Sequence, residues 1–321
     1  MKILIFSFND KLGDGLQKVS FIQYLKKIFP NSEITYTTTL TTTLKTNLNP
    51  LVIGCINNFI EYNQITSSPF NIVKKNYIFI EKKFDLIIDL QKVVIKTIQL
   101  KKINHKKFFS TSANFLFSDY KNDLKLDFKN IYIERFYFNI LSLLKNQKIN
   151  IIPNINIPFI KTPILTKNNK RKIGIAPGAG DEIRIWGFYK YLTIAKLLRD
   201  QGNQIYFFLG PDEKKYLDIC HKNNFDCPEW ENNIMKSNNI LFTMNLAKQI
   251  DCLLCNDAGT AWIFEFSGVK TFKIFGVTNE RKFSRPGFSE TIQVKDYGYD
   301  KLQSFPVDLY KKLLDKFLLT L

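Results

Sequence analysis

An aspartate in Leu12-Gly-Asp-Gly15, just past the apolar run Lys2 to Phe8, could do chemistry, as could two glycine-bearing turns, Ile173 to Gly180 and Asn256-Asp-Ala-Gly-Thr260. Each turn reads as a buried strand running into a glycine and then a helix. The free backbone N–H groups and helix dipole of such a turn suit a phosphate. Arg184 stands beside the first turn, and two such turns in one half of the chain point to a diphosphate held between them. A carboxylate at the end of the first strand, Asp14, with Asp10 as its neighbouring rival, is the residue type that takes a proton from an attacking hydroxyl. Capping the helix that reads from Leu16 is the competing role for Asp14, and capping the helix after Asn256 is the competing role for Asp257.

These residues need strands and helices to place them. The first half alternates the two signals: a strand from Lys2 to Phe8, a helix from Leu16 to Ile28 stopped by Pro30, a strand from Ser32 to Thr38 and another from Lys82 to Asp89. A further helix covers Glu134 to Lys145. Pro153, Pro158, Pro163 and the polar run Lys167 to Lys172 then read as a linker. The second half repeats the theme with a strand over 172–176, a helix from about Trp186 to Gln201, a strand from Gln204 to Leu209, and Gly210-Pro-Asp-Glu213 opening another helix. Such alternation predicts an α/β chain of two doubly wound, Rossmann-like parallel-sheet domains facing across a cleft, spanning 1–155 and 156–305. Residues 306–321 form an amphipathic helix, expected to be a packing element and placed back on the N-terminal domain.

Bulk properties bound the class. With 321 residues, 45% apolar and 23% charged, the chain is globular in composition, and no run approaches the roughly 20 apolar residues of a membrane span. Five cysteines in no framework spacing and no signal-like N-terminus predict a cytoplasmic protein, and Cys252-Leu-Leu-Cys255 reads as two buried thiols in a strand. The two histidines leave no histidine-rich metal site to expect. A net charge of +17, from 46 basic and 29 acidic residues, attracts polyanions without saying which, and part of the lysine excess reads as compositional drift.

Four segments in order resemble the glycosyltransferase family that includes the bacterial lipopolysaccharide heptosyltransferases. They are Leu12-Gly-Asp-Gly15, Phe84-Asp-Leu-Ile-Ile-Asp-Leu-Gln91, Pro177-Gly-Ala-Gly180 with Arg184 and Trp186, and Asn256-Asp-Ala-Gly259 followed by Lys273 to Thr278. The resemblance spans nearly the whole chain and implies the GT-B arrangement and inverting transfer of a heptose or related sugar from a nucleotide-diphosphate donor, ADP-sugar favoured, to a hydroxyl of a lipopolysaccharide-core-like or other glycan, a glycolipid or an oligosaccharide. It makes Asp14 the general base and Arg184 the cation facing the leaving phosphates. It places Gly178, Ala179, Gly180, Ala258, Gly259 and Thr260 around the diphosphate, Asp257 on donor sugar hydroxyls, and Glu213, with Asp212 as alternative, near the ribose. Backbone donors and Arg184 then suffice, so no metal and no cofactor is expected.

Three departures stand near that donor pocket: Trp262 where the family carries histidine, Ile185 and Gly187 around Trp186, and Val277 for a proline. The Trp262 face is expected to pack against a sugar ring. In the N-terminal half, the basic stretch Lys92 to Lys107, with Lys101, Lys102, Lys106 and Lys107 ahead of Phe108 and Phe109, is expected either to meet a phosphorylated lipid acceptor at the inner face of an anionic membrane or to be a solvated helix face. A catalytically inactive sugar-nucleotide binder is the alternative reading. A nucleic-acid-binding protein rests on charge alone, and an oxidoreductase lacks G-x-G-x-x-G after the first strand.

Overall fold

The computed structural model describes residues 1–72, 77–79, 81–165, 169–232 and 239–321. Lys167 and Asn168 of the polar run lie outside the described residues. The chain divides into two compact units, Met1–Asn156 and Ile157–Leu321.

The first unit is built on strands β1 (Lys2–Ser7), β2 (Glu33–Thr38), β3 (Asn58–Ile60), β4 (Phe84–Asp89) and β5 (His105–Ser110). They lie side by side in the order β3-β2-β1-β4-β5, every pair parallel. Lys2 stands opposite Glu33 and Ile3 opposite Leu86. β1 and β4 read as near-continuous apolar runs because strands at the centre of a parallel sheet are covered on both faces. Leu4, Phe6, Phe84, Ile87 and Phe108 form a core there. Helix α1 (Leu12–Ile28) starts four residues earlier than its apolar periodicity indicates. It packs on the helix Ile133–Lys145, with the Phe21 and Tyr137 rings 5.8 Å apart and Tyr24 and Phe138 5.5 Å apart.

The second unit holds β6 (Lys172–Ala176), β7 (Gln204–Phe207), β8 (Cys252–Asn256), β9 (Lys270–Phe275) and β10 (Ser289–Gln293) in the order β10-β9-β8-β6-β7, again parallel. Both expected doubly wound sheets are therefore present. The final helix, Val307–Leu318, lays its apolar face on the second unit. Tyr310 stacks on Trp186 with ring centroids 4.3 Å apart, and Phe317 stacks on Phe272 at 5.2 Å, so the helix is part of the second unit's core. Cys252 and Cys255 are free buried thiols in β8, and burial pushes the Cys252 thiol up to about 12.

In each sheet the strand order reverses once, between β1 and β4 and between β6 and β8. At such a switch point the following connections leave to opposite faces and open a crevice beyond the carboxyl ends of the two strands, where ligands of parallel α/β sheets bind. Asp14 follows β1, and the two glycine turns follow β6 and β8.

Candidate functional site

At the first switch point the two candidate aspartates have different environments. Asp10 is 1% exposed and accepts hydrogen bonds from Ser7 Oγ (2.8 Å), Lys18 Nζ (2.7 Å), Tyr36 OH (2.7 Å) and Thr42 Oγ1 (2.9 Å). Burial alone would push its carboxyl up, but the Lys18 ammonium and the hydrogen bonds from Lys18, Tyr36 and Ser7 hold it below the usual carboxylate range. Burial likewise works against the Lys18 charge, and Asp10 overcomes it, raising the amine above the ordinary lysine value. Asp10 is thus a buried structural anion with its oxygens occupied, which removes it as the rival base.

Asp14 is exposed. It does not cap the helix, because α1 begins at Leu12 with Lys11 in the capping position, and Asp14 lies inside the first turn. A carboxylate there is favoured by the helix dipole. Lys18, one turn on, donates to the Asp14 main-chain carbonyl at 3.0 Å and so ties that turn to Asp10. At the end of the neighbouring strand β4, buried Asp89 accepts from Thr97 Oγ1 (2.6 Å), Ser110 Oγ (2.9 Å) and the Gln91 N–H (2.9 Å). Burial outweighs these bonds and raises its carboxyl to about 6.

The second switch point gathers most of the expected donor residues. The turn Gly178-Ala179-Gly180 leaves β6 half-open to solvent, and among the described residues its N–H groups meet no protein acceptor. Arg184 ends a short 3-10 turn, and its Nη1 lies 3.5 Å from the Asp257 carbonyl, with Gly180 against the guanidinium. Glu213 folds over the same turn: a Cβ at Gly178 would overlap its carboxylate, and one at Gly210 would lie 2.6 Å from Oε2. Desolvation raises the Glu213 carboxyl against the opposing Gly210 backbone bond. Asp257 does not cap the helix Gly259–Phe266, whose capping residue is Ala258 without a side-chain bond. Its carboxylate accepts instead from Thr278 Oγ1 at 2.6 Å. Gly259 and Thr260 occupy the first two positions of that helix, where N–H groups have no intrahelical partner.

Several expectations are corrected here. Trp262 is 3% exposed, with the Lys273 ammonium 4.5 Å from its ring centroid, so it packs in the core and offers no face to a sugar. Trp186 is likewise internal, its Nε1 donating to the Phe305 carbonyl at 2.8 Å. Phe108 and Phe109 are fully buried in β5 and give the basic stretch no apolar contacts. Nor is that stretch one helix face: Lys101 ends the helix Val94–Lys101, Lys102 caps it, and Lys106 and Lys107 lie on edge strand β5. Lys106 pairs with Asp85 at 2.7 Å, and Lys101 donates to the Phe117 carbonyl at 2.8 Å. All four stand toward the amino end of β5, the end of the sheet opposite Asp14. Asn256 and Thr278, by contrast, bond to the turn after β6 and to the Asp257 carboxylate, though their residue types carry no role on their own.

The profile described as "Glycosyltransferase family 9 (heptosyltransferase)" matches residues 79–304. None of the curated proteins matches the chain. Among solved structures, a glycosyltransferase family 9 protein of Veillonella parvula superposes with a TM-score of 0.65 at 17% identity, over 100% of this chain and 97% of that one. Heptosyltransferase WaaC of E. coli, solved with ADP-2-deoxy-2-fluoro heptose, gives 0.64 at 12% identity over 98% and 99%. The E. coli ADP-heptose lipopolysaccharide heptosyltransferase II gives 0.58 at 16% over 100% and 99%. At these identities the superpositions establish the shared fold.

Proposed function

The chain belongs to glycosyltransferase family 9, and from that premise we propose that it is an inverting transferase moving a heptose or related sugar from an ADP-sugar to a hydroxyl of a lipopolysaccharide-core-like glycan. The observation that carries this reading is the convergence of Gly178, Gly180, Arg184, Glu213 and Asp257 at the β6/β8 switch point. Backbone N–H groups of the turn after β6 and of the Gly259–Phe266 helix hold the diphosphate, with Ala179, Ala258 and Thr260 contributing main chain only. Arg184 stabilises the charge that builds on the leaving ADP, so the step needs no metal. Glu213, an acceptor beside the turn, takes the ribose hydroxyls, and Asp257, oriented by Thr278, takes hydroxyls of the donor sugar. Asp14 accepts the proton of the acceptor hydroxyl while its oxygen bonds to the anomeric carbon and the ADP oxygen departs with the bonding pair. ADP is the favoured nucleotide because the similar WaaC was solved with an ADP-sugar.

A thermal-shift panel of ADP, UDP and GDP tests the donor half of the reading. ADP at 100 times its Kd should stabilise the protein by about 2.7 kcal/mol. A chain that no nucleoside diphosphate stabilises would overturn the assignment. We further propose that Lys101, Lys102, Lys106 and Lys107 draw the enzyme to an anionic membrane surface that carries a glycolipid acceptor.

A further inference from the structure

Asn256, the last residue of β8, is fully buried and uses both ends of its amide. Nδ2 donates to the Pro177 carbonyl at 2.6 Å and, at a longer 3.4 Å, to the Gly178 carbonyl. Oδ1 accepts from the Trp186 N–H at 3.1 Å and from Tyr191 OH at 3.2 Å. One side chain therefore joins the turn after β6, the segment after Arg184 and the helix Phe188–Asp200 to the strand that ends one residue before Asp257.

The consequence follows from peptide geometry. In a planar trans peptide the C=O and the next N–H point in opposite directions. Fixing the Pro177 carbonyl toward Asn256 therefore turns the Gly178 N–H away from it, and the weaker bond to the Gly178 carbonyl does the same for the Ala179 N–H. These N–H groups meet no protein acceptor among the described residues. We infer that Asn256 is the positioning residue of the donor site, tethering the carbonyl side of the Pro177–Gly180 turn so that its N–H side is preorganised for the diphosphate of the nucleotide. Donors held in place before binding cost no ordering when the ligand arrives. The inference rests on the nucleotide-sugar reading and adds to it the residue that sets diphosphate affinity without touching the ligand.

Calorimetric titration of the full chain with ADP and with adenosine tests it, in wild type, Asn256→Ala, Asn256→Ser and Tyr191→Phe. The serine variant keeps a short acceptor near Trp186 but leaves the Pro177 carbonyl untethered. Tyr191→Phe removes one of the two bonds to Oδ1, leaves the Trp186 bond and both Nδ2 tethers in place, and serves as the structural control. Both Asn256 variants should weaken ADP about tenfold, the scale of one lost hydrogen-bonded anchor, with adenosine affinity unchanged. Tyr191→Phe should lower Tm and leave both affinities at wild-type values. The inference is overturned if the Asn256 variants bind ADP as wild type does, if they lose ADP and adenosine in equal proportion, or if Tyr191→Phe loses ADP equally. Wild type that binds no ADP would instead overturn the nucleotide-sugar reading, and this inference with it.

Discussion

Lys18 carries an ammonium that is almost wholly buried and bonded to both the Asp10 carboxylate and the Asp14 carbonyl, so its removal strands a buried anion. Lys18→Met should cost about 3–5 kcal/mol in chemical denaturation, the usual penalty for breaking a buried pair from one side. Adding Asp10→Asn should recover most of that loss, because no unpaired charge then remains inside. Asp14 is the opposite case. It is exposed in the first helical turn, where the dipole favours a carboxylate by about 0.3–1 kcal/mol. Asp14→Ala and Asp14→Asn should therefore stay folded while sugar transfer falls by on the order of 10²–10⁴, and transfer indifferent to both would eliminate Asp14 as the base. The pH dependence of stability separates these groups. Asp10 is lowered, so its contribution is present above the unfolded carboxylate value and is lost only in stronger acid; Lys18 is raised, so its contribution persists through the neutral range. Asp89 is raised to about 6, so its contribution is full below the unfolded value of 3.8 and is lost as pH rises through about 6. Tm of wild type relative to Asp89→Asn should accordingly decline between pH 4 and 7, and a constant difference would show that Asp89 titrates normally.

Two connected elements, the β6 turn and the 3-10 segment carrying Glu213, share one space. Alanine at Gly178 would place its Cβ on the Glu213 carboxylate, the movable end of a side chain, so the fold survives and Glu213 is displaced. Gly178→Ala and Glu213→Ala should weaken ADP by similar factors, and the double variant should be no weaker than either alone; additive losses would separate the two residues. How much of this was legible beforehand depended on the range of each interaction. The central strands β1, β4, β6 and β8 announced themselves as apolar runs bounded by glycine or polar residues. Strand order could not, and it is order that creates the switch points. Gly13 and Gly15 precede Leu16, where the apolar periodicity starts the helix, yet both lie within α1. A Cβ at Gly15 would meet Leu48 Cδ1 at 2.6 Å, so that glycine serves close packing and not a turn. The edge strand β5 was hidden by His105-Lys-Lys107, charges of the kind that guard an exposed sheet edge. Asn256 was hidden because its partners Pro177, Trp186 and Tyr191 are remote in sequence.

At the scale of the whole chain, the net charge of +17 is distributed unevenly, and lysines gather where the amino end of β5 leaves the sheet. Among the described residues no helix is long and apolar enough to cross a membrane, and Phe108 and Phe109 are internal, so the lipid contact proposed for this stretch is argued from its charge. That restricts the form of the proposed membrane contact. It should depend on anionic lipid, weaken with salt as surface charges are screened over roughly 8–10 Å, and scale with the number of lysines at about 1 kcal/mol each. Lys106 is committed to Asp85, which discounts its share. Reversing Lys101, Lys102, Lys106 and Lys107 to glutamate should lower partitioning onto phosphatidylglycerol-containing vesicles by at least about tenfold at low salt. ADP binding should be unaffected, because the reversed residues belong to the first unit and the proposed nucleotide site to the second. Unchanged partitioning would assign the excess lysine to composition alone.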